Sequence, residues 1–209
     1  MMEDSVKAQR VPDMAGIMPD HRPRALRETP DTARRQAIRR YVAINRPAIG
    51  QLVQGVFDIR TLEEAERLSS MLAMQCPAPE TAAIGIWELL SNAIEHGSLE
   101  IDGETKARLV LEGRYLDEIA QRQEAEPFNV RVVRVMFRKQ ARSIRIRVVD
   151  EGPGFDFAAL SRDLQPTDAP CGRGLALARG VAFDSVVFHG RGNIVDARIL
   201  VRATVASAA

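Results

Sequence analysis

The chain has 209 residues, with 29 lysines and arginines against 28 aspartates and glutamates, for a formal charge of +1. That balance gives no global attraction for nucleic acid or an anionic membrane, 45% hydrophobic residues suit one packed core, and two cysteines are too few for a disulfide scaffold. No stretch approaches the roughly 20 apolar residues of a membrane span, and the first residues lack the apolar run of a signal peptide, so a cytoplasmic protein is expected.

Residues 1–48 read as a flexible tail followed by a basic helix. Pro12, Gly16, Pro19 and Pro23 break the tail, and Thr29 can cap a helix that begins at Pro30 and stops before Pro47. Its apolar face would hold Ala33, Ala37, Ile38, Tyr41, Val42 and Asn45. The arginines between Arg22 and Arg46 outnumber Glu28 and Asp31; a solvated face is the simpler reading, ahead of docking to an acidic partner.

Residues 49–209 form the expected globular domain. Gln51 to Arg60 alternates as a strand, and Thr61 with Glu64 makes a capping box for a helix with the stripe Leu62, Ala65, Leu68 and Leu72. Pro77 and Pro79 break it. A second helix is predicted from about Glu80 to His96, ended by Gly97. Lys106 to Glu124 is helical in pattern, within an inserted segment at about 103–128 whose Leu109, Leu111, Leu116 and Ile119 should face inward. Val130 to Phe137 and Ser143 to Val149 then form a hairpin. A last helix, Gly172 to Phe183, precedes strands Ser185 to His189 and Ile194 to Val205 around the turn Gly190-Arg191-Gly192-Asn193. This order predicts an α/β fold of the α+β kind: a two-layer sandwich with a mixed, mostly antiparallel sheet covered on one face by helices.

Three places carry chemistry. On the second helix Glu88, Asn92 and Glu95 fall at i, i+4 and i+7, away from the stripe Ala83, Trp87, Leu90 and Ile94. A carboxylate one turn from a carboxamide suits a magnesium-nucleotide site: the acid polarises a hydroxyl and the amide oxygen serves the metal. Helices hold such pairs by chance, so the neighbouring motifs decide its weight. The strand Ile144 to Val149 runs into Asp150-Glu151-Gly152-Pro153-Gly154, where a carboxylate at a strand end can accept a hydrogen bond from an exocyclic amine and glycines let the backbone approach a ligand. Cys171-Gly172-Arg173-Gly174-Leu175 precedes an apolar helix, so free N–H groups and Arg173 could face a polyphosphate. No dinucleotide fingerprint or P-loop is present, and neither Cys76 and Cys171 nor His21, His96 and His189 have metal-ligand spacing.

In order, Glu88-Leu89-Leu90-Ser91-Asn92-Ala93-Ile94-Glu95-His96-Gly97, Asp150-Glu151-Gly152-Pro153-Gly154 and Gly172-Arg173-Gly174-Leu175 resemble the N, G1 and G2 boxes of the gyrase, heat-shock-chaperone, histidine-kinase and MutL ATPase superfamily. Asn-Ala-Ile-Glu-His-Gly, Phe183-Asp184 and Gly192-Asn193 resemble its anti-sigma-factor serine kinase branch, over about Gln51 to Val205. The resemblance implies a Bergerat-type fold that binds ATP with magnesium. Glu88 would be the general base, Asn92 a magnesium ligand and Asp150 the adenine contact. Gly152, Gly154, Gly172, Arg173, Gly174 and Leu175 would line the nucleotide loops, and Phe155 to Cys171 would form a lid. It further implies a serine/threonine kinase that phosphorylates a small antagonist protein, holds a sigma factor or other target, and forms a homodimer. The inserted segment and the extension before Gln51 depart from the compact kinases. A histidine autokinase is disfavoured because His21 sits among Pro19, Asp20 and Pro23, where no dimerising helix fits. The alternative is a non-catalytic, ATP-gated protein-interaction module. No helix-turn-helix signal supports nucleic-acid binding by the arginine-rich segment.

Overall fold

The computed structural model describes residues 30–45, 50–155 and 182–201. Its elements are α1 (Pro30–Asn45), β1 (Gln54–Ile59), α2 (Leu62–Ala73), α3 (Pro79–Asn92), a π-helical turn (Ala93–Ser98), α4 (Gly103–Glu112), α5 (Tyr115–Glu124), β2 (Val133–Gln140), β3 (Ser143–Val149), β4 (Ser185–His189) and β5 (Ile194–Leu200). The strands make one antiparallel sheet in the order β1-β2-β3-β5-β4.

Alternation builds the sheet. Val133, Val135 and Phe137 on β2, Ile144, Ile146 and Val148 on β3, and Ala197 and Ile199 on β5 are buried, and they join one cluster with α2 and α3. In register on the opposite, solvated face, Arg134 pairs with Asp58 at 2.8 Å and Arg147 with Asp196 at 2.6 Å. The molecule is thus the expected two-layer α/β sandwich, and its described strands are all antiparallel.

Local signals set the helix starts. Thr61 accepts the Glu64 N–H while Glu64 accepts those of Arg60 and Thr61, which closes the capping box. Pro79 occupies the first turn of α3 and starts that helix, whereas α2 has already ended at Ala73, ahead of both Pro77 and Pro79. α3 is buried on nearly every side, from Ala82 through Ser91, because it lies between the sheet and its neighbouring helices.

Several expectations are corrected. Gly97 does not terminate the second helix: it lies within the π-helical turn, where the Leu99 N–H reaches the Ile94 carbonyl at 2.8 Å. The inserted segment holds two helices, because Gly113 adopts a left-handed conformation (φ 72°) that caps α4. Within it Leu109 and Ile119 face inward, whereas Leu111 and Leu116 are exposed. The buried side of α1 is Ile38 and Val42; Ala33, Ala37 and Tyr41 are exposed, and the basic helix packs against α2 and α3. Cys76 is buried, and desolvation pushes its thiol up to about 12, which makes it inert. Cys171, the tail and most of the Gly172 to Phe183 helix lie outside the described residues.

Phe137 is 1% exposed at the centre of the sheet's covered face. Phe137→Ala is expected to cost about 3–5 kcal/mol in urea denaturation, with the m-value unchanged.

Candidate functional site

The site is built where the C-terminal end of the N-box helix meets the end of β3. A methyl group at Gly97 would lie 2.4 Å from Cγ of Asp150, and one at Gly152 would lie 2.2 Å from the Gly97 carbonyl oxygen. No side chain fits in either place. The two glycines let a helix end and a strand end touch backbone to backbone, with the Asp150 carboxylate pressed against the contact.

The four residues 190–193 of the closing hairpin secure the G1 segment from the other side. Asn193 donates from Nδ2 to the Asp150 carbonyl at 3.0 Å, and the Asp150 N–H reaches the Asn193 carbonyl at 3.1 Å. The Arg191 guanidinium donates to the Gly152 carbonyl at 2.9 Å, and its own carbonyl accepts the Phe155 N–H at 2.9 Å. Gly154 has φ 81°, and a methyl there would lie 2.1 Å from the Arg191 carbonyl oxygen. Gly152 and Gly154 therefore have packing reasons of their own, beyond any approach to a ligand.

Asp150 is buried, and its Oδ1 accepts the Gly152 N–H at 2.9 Å. Its other oxygen has no partner among the described residues. Burial raises its pKa above the ordinary carboxylate value, against the opposing pull of the Gly152 N–H, Arg191 and Arg131. Ser98 Oγ, one residue beyond Gly97, is also buried without a partner among the described residues. Unsatisfied acceptor capacity at a buried carboxylate suits a hydrogen-bond donor arriving from outside, such as an exocyclic amine.

Further along the same helix, Glu88 is 5% exposed and Asn92 is half-buried one turn on. The Asn92 carboxamide makes no hydrogen bond among the described residues, so its oxygen is available. Glu88 is held by Arg35 of α1, whose Nε and Nη2 lie 2.7 and 2.6 Å from Oε1. Nine residues separate Glu88 from Gly97, about 13 Å along a helix axis. Glu88 and Asn92 thus lie in the C-terminal part of α3, on the side of the chain that leads into the Gly97 junction.

Glu95 does not join Glu88 and Asn92. It is fully buried and binds Lys106 Nζ at 2.6 Å and the Tyr115 hydroxyl, which fastens α4 and α5 to the helix. Sequence periodicity put the three polar residues on one face; the π-helical turn that begins at Ala93 shifts the phase after Asn92. The same turn leaves carbonyls that Arg131 (Ser98, 2.9 Å) and Arg122 (Leu99, 2.8 Å) satisfy. Gly172, Arg173, Gly174, Leu175 and all of the expected lid except Phe155 lie outside the described residues. Arg35 and Arg131 were not singled out in the sequence, since nothing local distinguishes them from neighbouring arginines.

Residues 63–199 match the histidine kinase-like ATPase domain. The chain belongs to that family. No curated protein and no solved structure matches it. As a member of the histidine kinase-like ATPases it has the antiparallel sheet and helical layer of the fold, with α1 and β1 lying before the matched span. No helix among the described residues is long and apolar enough to cross a membrane.

Two outcomes follow from this junction. Gly97→Ala should destabilise the domain by about 1–3 kcal/mol in chemical denaturation, since the methyl must displace Asp150. Asp150 with a raised folded pKa favours the fold while protonated, and that contribution is lost as pH rises through the folded value. Asp150→Asn should therefore raise the melting temperature of the ligand-free protein at neutral pH. The gain should shrink as pH falls through the carboxylate range, which a pH series of thermal melts will read.

Proposed function

We propose that the protein is an ATP-dependent serine/threonine protein kinase of the anti-sigma-factor type, phosphorylating a small antagonist protein in a partner-switching pathway. The observation that carries this reading is the division of labour along one helix. A buried carboxylate and an uncommitted carboxamide stand one turn apart, and the same helix ends against a strand-terminal aspartate with an unsatisfied oxygen. Family membership supports the nucleotide.

In this reading Asp150 accepts from the adenine amino group. Asn92 lends its amide oxygen to a magnesium ion carried by the phosphates. Among the described residues no three carboxylate, thiol or imidazole groups converge as a cage. Magnesium is commonly held by one or two protein groups plus nucleotide phosphates. Glu88 takes the proton of the attacking serine hydroxyl, and the buried helix fixes it in place. Gly172, Arg173, Gly174 and Leu175 would supply N–H groups and a cation to the phosphates. Positioning and charge neutralisation then provide most of the acceleration. The partners would be the antagonist and a sigma factor or comparable target, the assembly a homodimer and the compartment the cytoplasm.

The test has two stages. Calorimetric titration of MgATP should show binding to the wild type and none to Asp150→Ala. With the antagonist identified, Glu88→Gln should keep ATP binding while phosphate transfer falls by about 10²–10⁴-fold. ATP binding without transfer in the wild type would favour the non-catalytic, ATP-gated module. No binding at all would sink both.

A further inference from the structure

The candidate catalytic carboxylate is not bare. Glu88 is 5% exposed, and an isolated carboxylate at that depth would take up a proton, which would leave it unable to accept another. Arg35 stands against it. Both Nε and Nη2 converge on Oε1, at 2.7 and 2.6 Å, so that oxygen is committed to the guanidinium. A charge-assisted hydrogen bond from Nε, with Nη2 of the same cation beside that oxygen, favours the ionised carboxylate.

The origin of the arginine matters as much as its geometry. The family match begins at residue 63, and Arg35 lies ahead of it, on α1. α1 has other means of docking. Ile38 and Val42 are fully buried at helical spacing, and Arg34 binds Glu66 at 3.1 Å while its guanidinium lies 5.9 Å from the Trp87 ring centroid. Arg35 alone of these reaches a residue to which phosphoryl chemistry has been assigned.

We propose that Arg35 is a positioning residue of the phosphoryl site, contributed by the N-terminal helix, which keeps the Glu88 carboxylate charged and turned toward the hydroxyl it deprotonates. The inference rests on the kinase reading of Glu88. It makes α1 part of the catalytic unit, so turnover depends on that helix remaining seated on α3.

The experiment is steady-state ADP release from MgATP by full-length wild type, Arg35→Ala, Arg35→Lys, Glu88→Gln and the double variant Arg35→Ala/Glu88→Gln, each with a thermal melt. Arg35→Ala should lower kcat by about tenfold or more while KM for ATP stays within about twofold, and Arg35→Lys should recover part of the loss. In the Glu88→Gln background, Arg35→Ala should cost nothing further, because both changes remove one device. If Arg35→Ala melts early, Arg35→Met, which keeps the side-chain stem packed on α3, gives the same readings. A kcat unchanged or raised in Arg35→Ala overturns the inference, as does an equal loss in both backgrounds, which would mark Arg35 as purely structural. A wild type that binds MgATP but transfers its phosphate neither to water nor to the antagonist overturns the catalytic reading and this inference together, whereas an active enzyme indifferent to Arg35 overturns the inference alone.

Discussion

The constraint on which the site rests is steric: Gly97 and Gly152 meet beside the Asp150 carboxylate in a space where neither glycine can gain a carbon atom. Everything around the junction serves that approach. The π-helical turn delivers Gly97 to the strand end, Arg131 and Arg122 satisfy the carbonyls the turn leaves open, and the hairpin at Arg191 and Asn193 holds the G1 backbone from the far side. A buried, under-bonded aspartate weakens the ligand-free fold, and binding sites commonly hold such strain for the ligand to relieve.

Glu88 of α3 and Glu95 of the π-helical turn follow a second rule. Each is buried and paired with a cation from another element: Glu88 with Arg35 of α1, Glu95 with Lys106 of α4, where the Tyr115 hydroxyl of α5 adds a hydrogen bond. Deleting the cation of such a pair weakens the compensation of a buried charge. The extension and the insertion are thus bound energetically to the helix that carries the chemistry.

Much of this was legible in the sequence because its causes are local. The Thr61 to Glu64 capping box, the alternation of Ser143 to Val149 and the short strand Ser185 to His189 each lie within a few residues, and each was placed correctly. Asp150 was found at its strand end for the same reason. The errors came where tertiary contact overrides local habit. Gly97 looked like a helix terminator but serves a backbone approach to a strand more than fifty residues away, and Gly113 was read through although its left-handed turn divides the insertion. Leu111 and Leu116 have the same composition as their buried neighbours; only the docking of α4 and α5 decides which side meets solvent. An ion pair such as Arg35 to Glu88 leaves no local trace, since any arginine of the basic helix could have made it.

The antiparallel sheet has a consequence for the order of assembly. β2 with β3, and β4 with β5, are joined by tight turns and can zip by short-range closure, whereas β1 reaches β2 only after the chain between Ile59 and Val133, with α2 to α5, has been gathered. Loop closure over that span is entropically slow, so β1 pairing belongs to the late, rate-limiting phase of folding. The contact of Gly97 with Asp150 spans much of the same interval. A nascent chain would therefore acquire its nucleotide pocket in nearly the same cooperative event that completes its sheet, and would expose the unpaired edge of β2 until then.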